Sequence, residues 1–337
     1  MKGWKLIKPL QLNEKEITPS PEEKALSKVK ITKTLLTLSD ILRYNGEIDA
    51  SGVVLGSYGI GIVSETNANL FGLEKGKHVY VESNRPCNEC YNCKNGEENK
   101  CSDLYTAGED YDGFLSDFVA VDPNRLFVLP DNVSDLESLF IGHISLAVAV
   151  IEKLNIQKGD YVAIVGANNF GNILAQMLIY QQAVPIVIDN DEENIDIAKQ
   201  SGIYYVLGPN DNWNKEVSSI TGGRMAKNVV YISDSEIPVS KAFGLASFNA
   251  GVAFTGVYTT SAISFTQAIK KQLDIHCINT GIGNTAKSIN LIANKAVDIS
   301  KLKLNRGAYA TVPETFKKLN ENLNNNVKIY ETVIDMI

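Results

Sequence analysis

Four cysteines fall within fifteen residues, Cys87, Cys90, Cys93 and Cys101, in the run CNECYNCKNGEENKC. Two two-residue gaps followed by a seven-residue gap let one short loop wrap a single tetrahedral ion. Four thiolates close a zinc coordination shell and leave no position for water or substrate, so the one zinc expected here is structural. The alternative is a pair of disulfides or four unrelated thiols. Tight Cys-x2-Cys repeats in a chain of intracellular character favour the metal. The fifth cysteine, Cys277, lies in the apolar-flanked segment IHCIN and is expected to be a buried thiol.

A chain of 337 residues is long enough for two domains, each with its own core. Hydrophobic residues at 44% and charged residues at 21% are ordinary for a globular protein. The net charge of −7 disfavours nucleic acid or an anionic membrane as partner and leaves a small molecule. The opening MKGWKLIKPLQLNEKE turns polar at once, without the pattern of a leader, and no apolar stretch reaches membrane-spanning length. A cytoplasmic location is the expectation.

The first third is rich in short strand-like runs broken by turn residues: SKVKITKTLLTL, GVVLGSYGIGIVSE, KHVYVES and DFVAVDPNRLFVLP. They predict a compact, mostly antiparallel barrel. SDLESLFIGHISLAVAVIEKLN then reads as helix, with Ser134 or Asp135 as its N-cap. Next come a buried strand (YVAIVG), a helical stretch (NILAQMLIYQQ) and a second apolar strand (VPIVIDND). The runs KNVVYIS, GVAFTGVY and DIHCINT follow, separated by helix-compatible segments such as EENIDIAKQSG and FTQAIKKQ. This alternation predicts a parallel sheet flanked by helices. After about Gly281, two helices (NTAKSINLIANKA and VPETFKKLNENL) and the strand KIYETVI are expected to pack back on the first domain.

The segment Gly166-Ala167-Asn168-Asn169-Phe170-Gly171 follows the strand YVAIV and opens a helix. A Gly-x-Gly-x-x-Gly run in that place puts a dinucleotide's pyrophosphate on the helix N-terminus. Here the first and third glycines stand and Asn168 replaces the middle one, whose lack of a side chain normally lets the pyrophosphate approach. Asn tolerates left-handed backbone geometry, which softens that objection. Asp189, eighteen residues after Gly171, is placed to bond the adenosine ribose hydroxyls and favours NAD(H) over its 2′-phosphorylated form. The competing reading is a helix–strand turn with a solvated aspartate and no nucleotide.

With these pieces in order, nearly the whole chain resembles the zinc-containing alcohol and polyol dehydrogenases of the medium-chain dehydrogenase/reductase superfamily. The cysteine lobe matches in spacing, and YDGFLSDFVAVDPNRLFVLPDNVS and KGDYVAIVGANNFGNILAQ resemble the stretches that precede the long helix and form the cofactor loop. The resemblance implies an α/β fold, with a GroES-like, mostly-β domain (1–146 and 282–337, lobe 84–112) and an inserted Rossmann domain (147–281) holding a doubly wound parallel sheet. It also implies an active site in the cleft between them, and a homo-oligomer, dimer or tetramer.

The departures concern the catalytic zinc. Relatives that carry one take a cysteine from a Cys-Gly-Ser-Asp segment; here it reads Thr37-Leu38-Ser39-Asp40. Their second ligand comes from Gly-His-Glu-x-x-Gly, whose glycines survive as Gly56 and Gly61 around Ser57 and Tyr58. The third aligns with Gly142, beside His143. Neutral hydroxyls and a glycine cannot hold Zn²⁺ as thiolate, imidazole and carboxylate do, so the ligands read as replaced and catalytic zinc is expected to be absent.

Hydride transfer to a carbonyl still requires something to stabilise and protonate the oxygen. Ser39, at the position of the family's proton-relay hydroxyl, is the first candidate; Tyr58 and His143 follow as hydrogen-bond donors or general acids. Each has a bland alternative: Ser39 as a helix cap, Tyr58 as filler for the lost His and Glu, His143 as a core histidine. The implied function is an NAD(H)-dependent oxidoreductase acting on a small alcohol, polyol or carbonyl. A catalytically degenerate homologue serving as a binding or structural protein, and a zinc-independent quinone or enone reductase, are the alternatives.

Overall fold

The computed structural model describes residues 1–18, 26–66, 72–232, 237–256 and 263–336. The chain divides into two units: Met1–Gly142 with Thr285–Ile289 and Lys303–Ile337, and His143–Asn284 with Asn290–Leu302.

In the first unit the strand Ser27–Leu36 is central because β-branched and apolar residues alternate with lysines along it. It pairs antiparallel with Tyr58–Glu65, Phe118–Val121 and Thr332–Asp335. His78–Val81 and Leu126–Val128 continue the sheet on one side, and Asn305–Ala308 joins Thr332–Asp335 in parallel on the other. One apolar cluster gathers Val29, Ile31, Val63, Val79 and Phe114. Another gathers Leu36, Ile41, Leu55, Phe316 and Ile334. Side chains of this size each contribute about 1.5–3 kcal/mol on full burial.

The polar opening segment forms a hairpin that its composition hid, Lys2–Lys8 against Gln11–Glu16. Leu6 and Leu12 face each other across it and are buried, while Leu10 turns the chain at φ 65°. The long stretch after Pro130 is two helices. Asp135–Ser138 is capped by Ser134, whose Oγ accepts from the Glu137 amide, and Ile141–Lys153 follows after a break at Leu139 and Phe140.

In the second unit six parallel strands run Tyr161–Val165, Val184–Ile188, Tyr205–Leu207, Ala226–Ile232, Ala246–Thr255 and Asp274–Ile278. Numbered in chain order they lie 3-2-1-4-5-6 across the sheet, the doubly wound order of a Rossmann domain. The first two strands are almost wholly buried, which is why they read as unbroken apolar runs. The runs KNVVYIS and GVAFTGVY end in Ser233 and in Val257 and Tyr258, which lie outside the described residues.

The last strand corrects one expectation. Cys277 is exposed, because among the described residues Asp274–Ile278 has one neighbouring strand and shows Ile275 and Cys277 to solvent on one face. Among the described residues no helix is long and apolar enough to cross a membrane.

Candidate functional site

The thiol sulfurs of Cys87, Cys90, Cys93 and Cys101 all lie within 4.8 Å of one another. Cys87 Sγ is 3.9 Å from Cys93 Sγ and 3.5 Å from Cys101 Sγ. Tetrahedral zinc with bonds of about 2.3 Å requires sulfurs about 3.8 Å apart, so the set fits the ion. Amides aim at the sulfurs as well: Cys87 N donates to Cys101 Sγ at 3.3 Å and Cys90 N to Cys87 Sγ at 3.3 Å. The backbone amides of Cys93 and Ser102 draw the Cys90 thiol down to about 6, while burial and neighbouring sulfurs push Cys93 up to about 12. Four sulfurs so close need a cation among them to be anionic together.

Thr37, Ser39 and Ser57, which the sequence resemblance aligned with a metal site, lie around the buried carboxylate of Asp40. Thr37 begins the helix Leu38–Asn45, and its backbone N and Oγ1 both donate to Asp40 Oδ2, at 2.8 and 3.2 Å. Thr37 is therefore the cap, and Ser39, expected in the bland reading to cap this helix, lies inside its first turn. Among the described residues nothing bonds the Ser39 hydroxyl, which is half-buried.

The other oxygen of Asp40 accepts from Gly56 N at 3.2 Å and from Ser57 Oγ at 3.0 Å. Ser57 Oγ in turn accepts from Arg43 Nη1 at 2.7 Å. Asp40 is fully buried, and burial raises its carboxyl above the ordinary range against the opposing pull of Arg43 and its donors. The Thr37 and Ser57 hydroxyls are thus both tied to one carboxylate. Arg43, which sequence reasoning passed over, is buried beside them. The available signal was its place three residues after Asp40 on an otherwise apolar helix face.

The surviving glycines are retained for backbone reasons. Gly56 has φ +108°, and a Cβ on Gly61 would lie 2.2 Å from the Lys30 carbonyl oxygen. Gly142, which the sequence resemblance aligned with a third ligand, would place a Cβ 2.2 Å from Tyr58 Cε1 and 3.0 Å from Tyr80 Oη. The Tyr58 ring therefore occupies the space a ligand side chain at residue 142 would need. Burial, reinforced by the charges of Glu82 and Asp40, pushes the Tyr58 phenol up to about 12. Glu82, itself raised by burial, accepts a hydrogen bond from Thr285 Oγ1. The donor set does not fit a catalytic zinc: it offers hydroxyls already engaged, a glycine under a ring, and a guanidinium.

His143 is 8% exposed and its ring lies 6.4 Å from that of Phe170. Packing of this kind is what a core histidine shows. In the first unit a cavity of about 390 Å³ lies beside Glu82, Arg85, Tyr111 and Arg125, but none of Ser39, Ser57 or Tyr58 lines it.

The glycine-rich loop follows the first parallel strand. Gly166 has φ 110°, and a Cβ on Gly171 would lie 2.1 Å from the Gly166 carbonyl oxygen, so both glycines are needed for the turn and for the helix's close approach. Asn168 is not left-handed, contrary to the tolerance argument: its φ is −60° and ψ −179°. It is the N-cap of the helix Asn169–Tyr180, and its Oδ1 accepts from Gly171 N at 2.9 Å. Asp189 directly follows the second strand and is 7% exposed. Its Oδ2 accepts from Ala167 N at 2.5 Å and Asn194 Nδ2 at 3.0 Å, and its Oδ1 from Asp191 N at 2.9 Å. The loop, helix and carboxylate expected for a dinucleotide site are brought together, and they are bonded to each other.

Residues 24–131 match the alcohol dehydrogenase GroES-like domain. Over 279 residues, 82% of each chain, the protein is 26% identical to an uncharacterized zinc-type alcohol dehydrogenase-like protein of Haemophilus influenzae. It is 27% identical over 255 residues, 74% of each chain, to a sorbitol dehydrogenase of Halalkalibacterium halodurans. A short chain alcohol dehydrogenase of Escherichia coli, solved with NADH, superposes with a TM-score of 0.85 at 22% identity, over 100% of this chain and 99% of that one. The fold is that of the medium-chain dehydrogenase/reductase superfamily. The family-model match puts the GroES-like part on the unit that holds both the cysteine lobe and the Asp40 cluster.

Proposed function

We propose that the protein is an NAD(H)-dependent oxidoreductase of the alcohol dehydrogenase type, acting on a small alcohol, polyol or carbonyl, with one structural zinc and no catalytic zinc. The observation that carries the redox reading is the loop Gly166–Gly171 at the end of the first parallel strand with Asp189 at the end of the second. Gly166 and Gly171 shape the pyrophosphate seat, and Asp189 receives the adenosine ribose through the remaining lone pair of Oδ1, which already accepts from Asp191 N. NAD(H), when bound, supplies or accepts the hydride. Proton handling falls to the chain: Ser39 holds the substrate oxygen, and the Tyr58 phenol, neutral up to about pH 12, acts as the acid in carbonyl reduction. His143 is kept as a further donor.

The test is a fluorescence titration with NADH and NADPH, followed by a screen of small alcohols and carbonyls. Binding of NADH in the micromolar range with weaker NADPH is expected. No binding at millimolar concentration would remove the redox role, and preference for NADPH would discredit the reading of Asp189. Metal analysis should return one zinc per chain.

Asn168 favours a second reading, a degenerate homologue that binds without turnover, because its side chain caps the helix end a pyrophosphate would use. Saturable NADH binding without reduction of any carbonyl would select it. A homo-oligomer is proposed under either reading, supported by the exposed Ile275 and Cys277 on the edge strand, and light scattering reports it.

A further inference from the structure

Arg43 makes a set of contacts that neither the cysteine lobe nor the nucleotide loop explains. Its side chain is 5% exposed. Nε and Nη2 donate to Glu109 Oε2 at 3.2 and 2.6 Å, Nη1 donates to Ser57 Oγ at 2.7 Å, and Asp40 Oδ1 lies 3.6 Å away. A buried guanidinium thus sits between two carboxylates, directly bonded to the residue that stands in place of a metal-binding histidine. Buried charge is costly unless paired, so this arrangement is kept only if the cation meets a need of its surroundings.

That need is set by Asp40. Its carboxylate fixes Thr37 N, Gly56 N and Ser57 Oγ, joining the helix Leu38–Asn45 to the segment entering Tyr58–Glu65. With no neighbouring cation, an ionised carboxylate with no solvent contact would be untenable.

We infer that Arg43 has taken over from a metal ion as the cation of this site: it neutralises Asp40, positions Ser57 and the helix carrying Ser39, and keeps divalent ions out. Arg43 is a positioning residue, since Nε, Nη1 and Nη2 each donate to a protein partner. The inference rests on the proposed metal-free reading, but loss of NADH binding would leave it standing.

Removing the guanidinium should leave a hole that asks for a cation. Full-length Arg43→Met, Arg43→Lys and wild-type proteins are compared by cobalt(II) titration and by thermal unfolding with and without millimolar Mg²⁺ or Co²⁺. Arg43→Met is expected to bind one more ion per chain than wild type and to unfold several degrees higher with added ion. Wild type and Arg43→Lys, which carry their own cation, should not respond. An Arg43→Met protein indifferent to metal overturns the inference. Should that variant not fold, the double substitution Thr37→Cys, Ser57→His decides. With Arg43 retained it is expected to bind no ion beyond wild type, and an additional ion overturns the inference.

Discussion

The ring of Tyr58 and the α-carbon of Gly142 are fitted to each other: a Cβ on Gly142 would come within 2.2 Å of Tyr58 Cε1. A large residue and the smallest one meet there, and each explains the other.

Gly142→Ala should therefore destabilise the protein although it lies in the helix Ile141–Lys153, where alanine alone would gain about 1 kcal/mol. Overpacking against the ring costs about 1–3 kcal/mol, so a net loss is expected. In a Tyr58→Ala background the same substitution should be neutral or stabilising. Urea unfolding of the four proteins measures the coupling, and additive effects would contradict the fit.

Asn168→Gly frees the Gly171 amide from its side-chain cap. Helix stability should fall by only a few tenths of a kcal/mol. NADH binding should tighten several-fold, read by fluorescence titration. Unchanged affinity would mean that the asparagine does not obstruct the pyrophosphate.

The zinc lobe should depend on its ion. Cys93→Ser, or prolonged chelation, is expected to abolish the one zinc per chain and to open residues 87–101 to proteolysis, because Tyr91–Lys94 has no buried residue to hold it. The Asp40 cluster should be untouched, so loss of NADH binding on chelation would show that the ion serves more than the lobe.

Much of the fold was written in periodicity: the apolar runs YVAIV and VPIVI could only be buried parallel strands, and the spacing of the four cysteines required their convergence. The opening hairpin was illegible because only Leu6 and Leu12 bury deeply amid lysines and glutamates. Cys277 misled because apolar neighbours in sequence do not say whether a strand has another beyond it. For Ser39, Tyr58 and Asp189 the sequence offered candidate positions but no partners. Hydrogen bonding of Asp189 to Ala167, and of Arg43 to Ser57, depends on tertiary placement that no local pattern encodes.

A Tyr58 phenol pushed from 10 up to about 12 is neutral around pH 7–9. Because its folded value lies above its unfolded one, the stability linked to it is complete below about pH 10 and declines as pH climbs towards 12. As the acid for carbonyl reduction it should give a rate insensitive to pH between about 7 and 9, and Tyr58→Phe should lower that rate about 100-fold with folding preserved. A variant as fast as wild type would return the role to Ser39 or His143.

Burial raises Glu82 above the ordinary carboxylate range, so its ionised form costs stability at neutral pH. Glu82→Gln keeps an acceptor for Asn84 N and offers Thr285 Oγ1 a donor. The variant should melt higher than wild type at pH 7, with the advantage vanishing as pH falls below 4.5, the unfolded value. Differential scanning at several pH values tests this, and a lower melting point at pH 7 would show that the negative charge is needed.

The strand Thr332–Asp335 lies directly against Ser27–Leu36, the middle of the first unit's sheet. A ribosome must therefore deliver all of His143–Asn284 before that sheet can close. The nucleotide-type unit is free to mature during synthesis, while the unit that begins the chain waits, with Leu35 and Leu36 lacking their last neighbour, until the closing residues emerge.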